Sequence, residues 1–414
     1  MPAISLKRRP DYTFKHNISA GRHGWLRLTP AYSVRVVEEI IRAWPQETLV
    51  FDPFSGTATT SLCAAYAGHA AVAMELNPFL VWLGRAKTDL YSDSDIAHAQ
   101  QGAEDLLELI GKPGSPPYEP PRIHNIERWW GQAELDFLCA LMGGLGHIMP
   151  RPNRARTLLL IAFCRFMIRV SNAAFNHQSM SFKSDAGTSD AQMVLFSGTT
   201  GLSDLFREDA SLILTSAREN PPLKATIIEG DSRLVTQYLD TSFDLLVTSP
   251  PYPNRMSYIR ELRPYMYWLG YLGSAREAGE LDWQAIGGTW GIATSRLQEW
   301  KRSPDGFYPR YFVEILESIA HADNKSGRLL SNYVAKYFED MWKHFQGATE
   351  LTARGGEIHY IVGNSVFYGI CLPVERLFSD MFRELGLTDV SIRVLRKRNS
   401  KKELLEFDVS GRKL

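Results

Sequence analysis

The segment DPFSGTATT (52–60) follows the apolar run Thr48–Phe51 and leads into a stretch of small residues, SLCAAYAG. A loop turning from a strand's carboxyl end into a helix gathers backbone N–H groups and a helix N-terminus around whatever binds there. Asp52, Pro53, Phe54, Ser55, Gly56 and Thr57 form that loop, and Gly56, lacking a Cβ, lets a ligand approach the backbone closely. Glu75 ends the next apolar run and is followed by Leu76 and Asn77; a carboxylate there suits two vicinal ribose hydroxyls. A phosphate-gripping loop is disfavoured, because no Gly-Lys-Ser/Thr follows the glycine and Asp52 would repel phosphate. The expected ligand is a nucleoside with a cationic or zwitterionic tail. A generic turn of an α/β protein is the plainer alternative for this loop alone.

The segment TSPPY (248–252) follows a second apolar run, FDLLV. Pro250 and Pro251 fix two φ angles, and Ser249 is held extended by the proline after it. A hydroxyl and a backbone carbonyl are thereby presented rigidly on one side, with the Tyr252 ring just beyond. This suits a planar base bearing an exocyclic amine: the acceptors take its N–H groups while the ring stacks on the base. A proline-rich turn without a ligand is the structural alternative.

Both segments need strands that end at the same edge of a sheet. Strand 48–51, the loop, a helix stopping near Gly68 and a strand over 70–78 form the opening of a doubly wound α/β sheet. KATIIEGDS (224–232) and SFDLLVTSPPY (242–252) repeat the strand-then-turn pattern, and AYSVRVVEEIIRAW (31–44) has helical spacing. GGEIHYIVGNS (355–365) and 391–409 read as late strands, with a hairpin around Lys397–Lys402. Residues 93–225 differ in character. A Pro/Gly-rich stretch (111–121) precedes two apolar helices, IERWWGQAELDFLCALMGGLG and RARTLLLIAFCRFMIRVSNAAF, and then a polar Gly/Ser/Thr-rich segment (181–201). A further helical stretch covers roughly 255–345. The economical organisation is an α/β core of 1–92 and 226–414, interrupted by a mainly helical insertion at 93–225.

Composition narrows the classes. The 414 residues are 44% hydrophobic and 22% charged, which excludes wholesale disorder. Lys+Arg and Asp+Glu are both 46, which excludes a uniformly basic coat but not a local basic face. Cys63, Cys139, Cys164 and Cys371 have neither disulfide-scaffold nor CxxC zinc spacing, and the ten His show no metal pattern, so no metal is expected. The apolar runs are far shorter than a membrane span and the first residues lack a signal-like core, so a soluble cytoplasmic protein is expected.

Together, the two motifs resemble the amino-methyltransferases of DNA, the S-adenosylmethionine-dependent family that makes N4-methylcytosine or N6-methyladenine. DPFSGTATT is similar to that family's DPFxGxGT cofactor loop, with Ala58 in place of the second glycine, and ELNP (75–78) to its acidic strand end. HGWLRLTPAYSV (23–34), with Trp25, Thr29 and Pro30, resembles the segment covering the methionine end of the cofactor. Asp231 and Ser232 resemble the acidic turn beside adenine, and TSPPY the catalytic tetrapeptide in its Ser form, preceding the Gly-Asn turn of IVGNS. The resemblance implies a Rossmann-like methyltransferase sheet with S-adenosylmethionine as cofactor. Its cofactor residues would be Trp25, Thr29, Pro30, 52–57, 75–77, Asp231, Ser232 and Ser249, with Ser249–Tyr252 catalytic. It implies double-stranded DNA as partner, with a flipped base, and a separate cognate restriction endonuclease where the chain serves a restriction-modification system. The cofactor-before-catalysis motif order implies that target recognition lies between the two halves, in 93–225; 253–330 is the other candidate.

The Ser form favours cytosine N4; adenine N6 is the alternative, RNA a further substrate, and a non-catalytic DNA-binding relative the reading from another class. No Cys follows a proline, so a covalent thiol adduct on cytosine C5 is disfavoured. Arg151, Arg154 and Arg156, with Arg165, Arg169 and the nearby Trp129 and Trp130, are candidate DNA contacts or a solvated helix face. In RKRNSKK (396–402), Arg396, Lys397 and Arg398 are candidate phosphate contacts.

Overall fold

Short apolar runs bounded by turn residues become the strands of one seven-stranded sheet. The structure, a computed structural model, describes residues 12–13, 16–28, 32–112, 114, 116–174, 181–182, 199–254, 257–323, 325–398 and 404–414. Strands β1 (Leu49–Asp52), β2 (Ala70–Glu75), β3 (Thr226–Glu229), β4 (Phe243–Thr248) and β5 (Thr352–Gly363) are parallel, in the order 3-2-1-4-5. β6 (Thr388–Lys397) and β7 (Leu405–Arg412) form an antiparallel hairpin, with β7 lying between β5 and β6. The fold is α/β, a mostly parallel Rossmann-like methyltransferase sheet flanked by helices, as the sequence predicts.

The chain moves outward from β1 through β2 to β3, then crosses back to β4 on the other side. The switch point therefore lies between β1 and β4, whose carboxyl ends carry Asp52 and Thr248. Open α/β sheets bind ligands at such a crevice. Alternate residues of the central strands face opposite layers. Val50, Leu245 and Val247 pack with α1 (Val34–Ile41) and α2 (Thr59–Tyr66), whereas Phe51, Leu246 and Tyr360 pack with helices Gly327–Leu351 and Val374–Glu384. α2 buries Thr59 to Ala65 without interruption, because its small side chains let the helix lie close on the sheet.

Local signals set the helix starts. Asn77 accepts from the Phe79 amide at 3.0 Å, with Pro78 opening α3 (Pro78–Thr88). Ser92 and Asp95 form a reciprocal cap on α4 (Asp93–Ile110). α5 (Gln132–Ile148), α6 (Arg154–Arg169) and α7 (Thr199–Ala217) follow before β3, and they share one apolar cluster with α3 and α8 (Tyr258–Trp268). Each fully buried large side chain there, such as Trp130, Leu138 or Phe166, contributes about 1.5–3 kcal/mol.

Three details differ from the sequence reading. α7 follows a polar lead-in that hides it in the sequence, although its apolar positions Leu202, Phe206, Ala210, Ile213, Leu214 and Ala217 have helical spacing. Trp129 and Trp130 are not surface aromatics beside arginines. Both are buried, and the Trp130 indole donates to the Met167 carbonyl at 2.9 Å. Helix α1 is also shorter than its apolar pattern, ending at Ile41. Among the described residues no helix is long and apolar enough to cross a membrane.

Candidate active site

At the switch point lies a cavity of about 250 Å³, lined by residues from both motifs. One half is built from the loop after β1 and the ends of β2 and β3: Pro53, Phe54, Gly56, Glu75, Leu76, Asn77, Asp231 and Ser232. The other half holds Ser249, Pro250, Pro251 and Tyr252, with Asn254, Tyr258 and segment 284–288. Arg396, Arg398 and Glu406 of the β6–β7 hairpin close that side.

The loop after β1 takes its shape from two residues with left-handed backbone, Gly56 (φ 49°) and Ala58 (φ 60°). Glycine adopts this conformation without penalty; at Ala58 the strain is held by burial. Asp52 sits behind the loop, fully buried, and Oδ1 accepts from the Thr248 hydroxyl at 2.5 Å and the Phe54 amide at 3.1 Å. It joins the ends of β1 and β4, and burial raises its carboxyl to about 6. Glu75 Oε2 accepts from the Gly56 amide and Oε1 from the Asn77 amide, each at 2.8 Å. Burial pushes Glu75 up to about 7 against those two donors. From beneath, Lys87 donates to the Thr57 carbonyl at 3.0 Å; burial lowers its ammonium to about 7.

His344 carries no sequence signal beyond its place on an apolar helix, yet it joins two walls of this half. Its Nδ1 lies 2.9 Å from the Ser232 carbonyl and its Nε2 2.6 Å from the Tyr360 hydroxyl. The Phe54 ring meets it edge-on at 4.7 Å. The carbonyl can only accept, so Nδ1 carries the proton and Nε2 accepts from Tyr360. Burial depresses the imidazole to about 4, which keeps it neutral. Asp231 is held by the Arg233 guanidinium, which in turn reaches Asp340 at 2.9 Å.

In the second half, Ser249 donates to the Ile361 carbonyl at 3.0 Å and lies 3.4 Å from the Tyr252 hydroxyl. The Pro251 carbonyl is taken by the Tyr337 hydroxyl at 2.8 Å, which anchors the tetrapeptide to the helix behind it. Tyr252 donates to Glu406 Oε1 at 3.1 Å, and the Arg398 guanidinium lies over its ring at 5.0 Å. The Gly-Asn turn after β5 supports this side. Arg398 donates to the Asn364 carbonyl, and a Cβ on Gly363 would fall 2.2 Å from Arg398 Nη1.

Several expected site residues lie elsewhere. Trp25 is fully buried outside the cavity, its indole donating to Ser216 at 2.6 Å. Arg22 beside it clamps the backbone ends of α3 and α7. Ser55 and Thr57 are buried in the loop without lining the cavity. Thr29 and Pro30 lie outside the described residues, as do 399–403 of the basic hairpin tip.

The four arginines of α6 have partners within the chain, and no arginine of the insertion is among the described residues lining the cavity. Arg154 pairs with Asp89 at 3.0 Å, and Arg156 caps α5 through the Leu145 and Met149 carbonyls. Arg165 and Arg169 pair with Asp209 and Glu208. α6 and α7 face one another, so Arg165 and Arg169 meet carboxylates of α7, while Arg154 meets Asp89 at the end of α3 and Arg156 the end of α5. Arg151 is exposed just ahead of α6. Sequence reasoning missed Tyr12, Tyr32, Tyr258, Asp282, 284–288 and Glu406, which reach the cavity from segments far apart in the chain.

The polar lining fits S-adenosylmethionine. The half around Glu75 offers carboxylates and, among the described lining residues, no Lys or Arg, so it suits hydroxyls and a cationic tail rather than phosphates. Two buried acceptors of the loop, Asp52 Oδ2 and Ser55 Oγ, have no hydrogen-bond partner. Among the described lining residues, the cations Arg396 and Arg398 belong to the half beyond the tetrapeptide.

No protein-family model matches the chain. It is similar to the type II methyltransferase M.MvaI of Kocuria varians, at 20% identity over 378 residues that span 87% of this chain and 80% of that protein. It is likewise similar to the type II methyltransferase M.BsoBI of Geobacillus stearothermophilus, at 19% identity over 446 residues spanning 95% of this chain and 84% of that one. A methyltransferase-type sheet with a two-motif cavity at its switch point thus stands in a chain similar, over most of its length, to type II methyltransferases.

Proposed function

We propose that the chain methylates the exocyclic N4 of a cytosine flipped out of double-stranded DNA, as the modification enzyme of a restriction-modification pair. The observation that carries this reading is the single cavity shared by Glu75 and the Ser249–Tyr252 tetrapeptide. S-adenosylmethionine, when bound, supplies an electrophilic methyl group on a sulfonium. Glu75, Asp231 and the 53–56 loop would hold its nucleoside and tail.

The target amine is a poor nucleophile, because its lone pair is delocalised into the ring. Ser249 already donates its proton to Ile361, so its lone pairs remain to accept an amine N–H. With the Pro250 carbonyl taking the second hydrogen, the nitrogen would become pyramidal and its lone pair would point along the line of attack. Orientation of this kind is worth roughly 7–11 kcal/mol, with electrostatic alignment adding to it. Tyr252 would stack on the extruded base, since the duplex otherwise buries the reacting atom. Cytosine rather than adenine rests on Ser, not Asp or Asn, before Pro-Pro-Tyr.

Base-resolved sequencing of DNA from cells expressing the protein, against a Ser249→Ala control, tests this. N4-methylcytosine at one motif is expected. N6-methyladenine would overturn the choice of base, and the absence of any Ser249-dependent mark would favour a non-catalytic DNA-binding relative.

A further inference from the structure

The geometry points to a proton path from the target amine through Ser249 and Tyr252 to Glu406, with Glu406 as the acceptor of the proton that methylation releases. This rests on the reading above. The Ser249 hydroxyl has two acceptors within reach, the Ile361 carbonyl at 3.0 Å and Tyr252 Oη at 3.4 Å. Tyr252 in turn donates to Glu406 Oε1 at 3.1 Å. Glu406 lies on β7, more than 150 positions from the tetrapeptide, yet it lines the same cavity and is nearly buried.

The balance follows from the chemistry. As the C–N bond forms and the sulfonium–methyl bond breaks, the positive charge passes to the amine nitrogen, which must then shed one proton. The Ser249 hydroxyl turns from the Ile361 carbonyl to Tyr252 Oη; the amine proton then moves to Ser249 Oγ, the serine proton to Tyr252 Oη, and the tyrosine proton to Glu406 Oε1. Three O–H bonds form while one N–H and two O–H bonds break. The charge delivered with the methyl group neutralises Glu406, and the proton then leaves to solvent.

The groups facing Glu406 suit this cycle. Arg396 on β6 holds the carboxylate through two bonds, at 2.5 and 3.1 Å, and fixes it toward Tyr252. Arg398, over the Tyr252 ring, keeps the ring in line. Tyr258 faces Tyr252 from α8, and burial raises both hydroxyls, so each stays protonated at rest and Tyr252 can pass a proton along.

The test is single-turnover methylation by Glu406→Gln, Tyr252→Phe and the double variant across pH. Glutamine keeps an acceptor for the tyrosine, and phenylalanine keeps the ring, so both preserve shape while cutting the path. Each single variant should be slower by about a hundred-fold or more. The double variant should be no slower than either single one. The Glu406→Gln rate should climb with pH more steeply than wild type, because solvent base must take the proton, and Glu406→Asp should recover part of the rate. Cofactor affinity and DNA affinity, each measured without turnover, should stay unchanged. A Glu406→Gln rate equal to wild type, additive losses in the double variant, or a slow variant with the wild-type pH profile would each overturn the path. A wild-type protein that methylates no DNA amine would instead overturn the proposed function on which the path rests.

Discussion

The Gly56 amide donates to Glu75 Oε2 at 2.8 Å, so the loop after β1 and the acid ending β2 act as one unit. Two amides converge on a carboxylate that burial nonetheless raises to about 7, so Glu75 gains and loses its proton near neutrality. Acceptance from two ribose hydroxyls requires the ionised form. Cofactor affinity should therefore rise as pH rises through about 7 and flatten above it, with protons released on binding. Unliganded stability has the opposite sign: the folded carboxyl titrates above its ordinary 4.5, so stability falls as pH rises from 4.5 to about 7. Calorimetry in buffers of different ionisation enthalpy checks both. Glu75→Gln should lose the pH dependence and about ten- to a hundred-fold in affinity. A Val at Gly56, whose φ is +49°, should weaken binding as well.

Ser249→Ala and Tyr252→Ala should cut single-turnover methylation by orders of magnitude and leave the cofactor dissociation constant nearly unchanged. Both residues sit in the half of the cavity beyond the cofactor loop. Equal loss of cofactor binding in the two variants would show that the tetrapeptide holds the cofactor rather than the base.

His344→Leu should destabilise the fold, since it strands the Ser232 carbonyl and the Tyr360 hydroxyl in the core at about 1–3 kcal/mol each. The imidazole titrates at about 4 when folded and 6.5 when unfolded, so the unfolded chain takes up the proton first. Wild-type stability therefore falls as pH drops from 6.5 toward 4, and the His344→Leu variant should lack that part of the slope. Denaturant titrations at two pH values measure both effects.

What the sequence made legible follows from where each signal is encoded. The strands β1, β2 and β4 and the loops that end them are local, so apolar run, turn residues and Pro-Pro identify them without any tertiary information. Glu75 and Ser249 inherit their positions from those strands. Glu406 and Asp282, which line the cavity, and His344, which braces its Ser232 wall, could not be found this way, because each is placed only through sheet order or helix packing. Glu406 becomes a neighbour of Tyr252 because β7 inserts beside β5. The partners of the α6 arginines were illegible for a related reason. A helix sequence gives the spacing of its charges but not the carboxylates, here Asp89 and Asp209, that packing brings to them.

That pairing changes what alanine should do at Arg151, Arg154 and Arg156. Arg156 satisfies two carbonyls at the end of α5, so its loss should cost about 1–3 kcal/mol of stability. Arg154 is half exposed against Asp89, and its loss should cost less than about 1 kcal/mol. The triple variant should therefore melt earlier yet methylate the same motif, with the salt dependence of DNA binding unchanged. Lys397, at the base of the basic hairpin beside the cavity, should behave in the opposite way. Lys397→Ala should flatten the log–log salt slope by about 0.9 if it meets one phosphate, with stability and cofactor affinity intact. Binding isotherms at four salt concentrations decide between the two surfaces. A flattened slope or relaxed motif in the triple arginine variant, with none in Lys397→Ala, would return the DNA contact to the helical insertion.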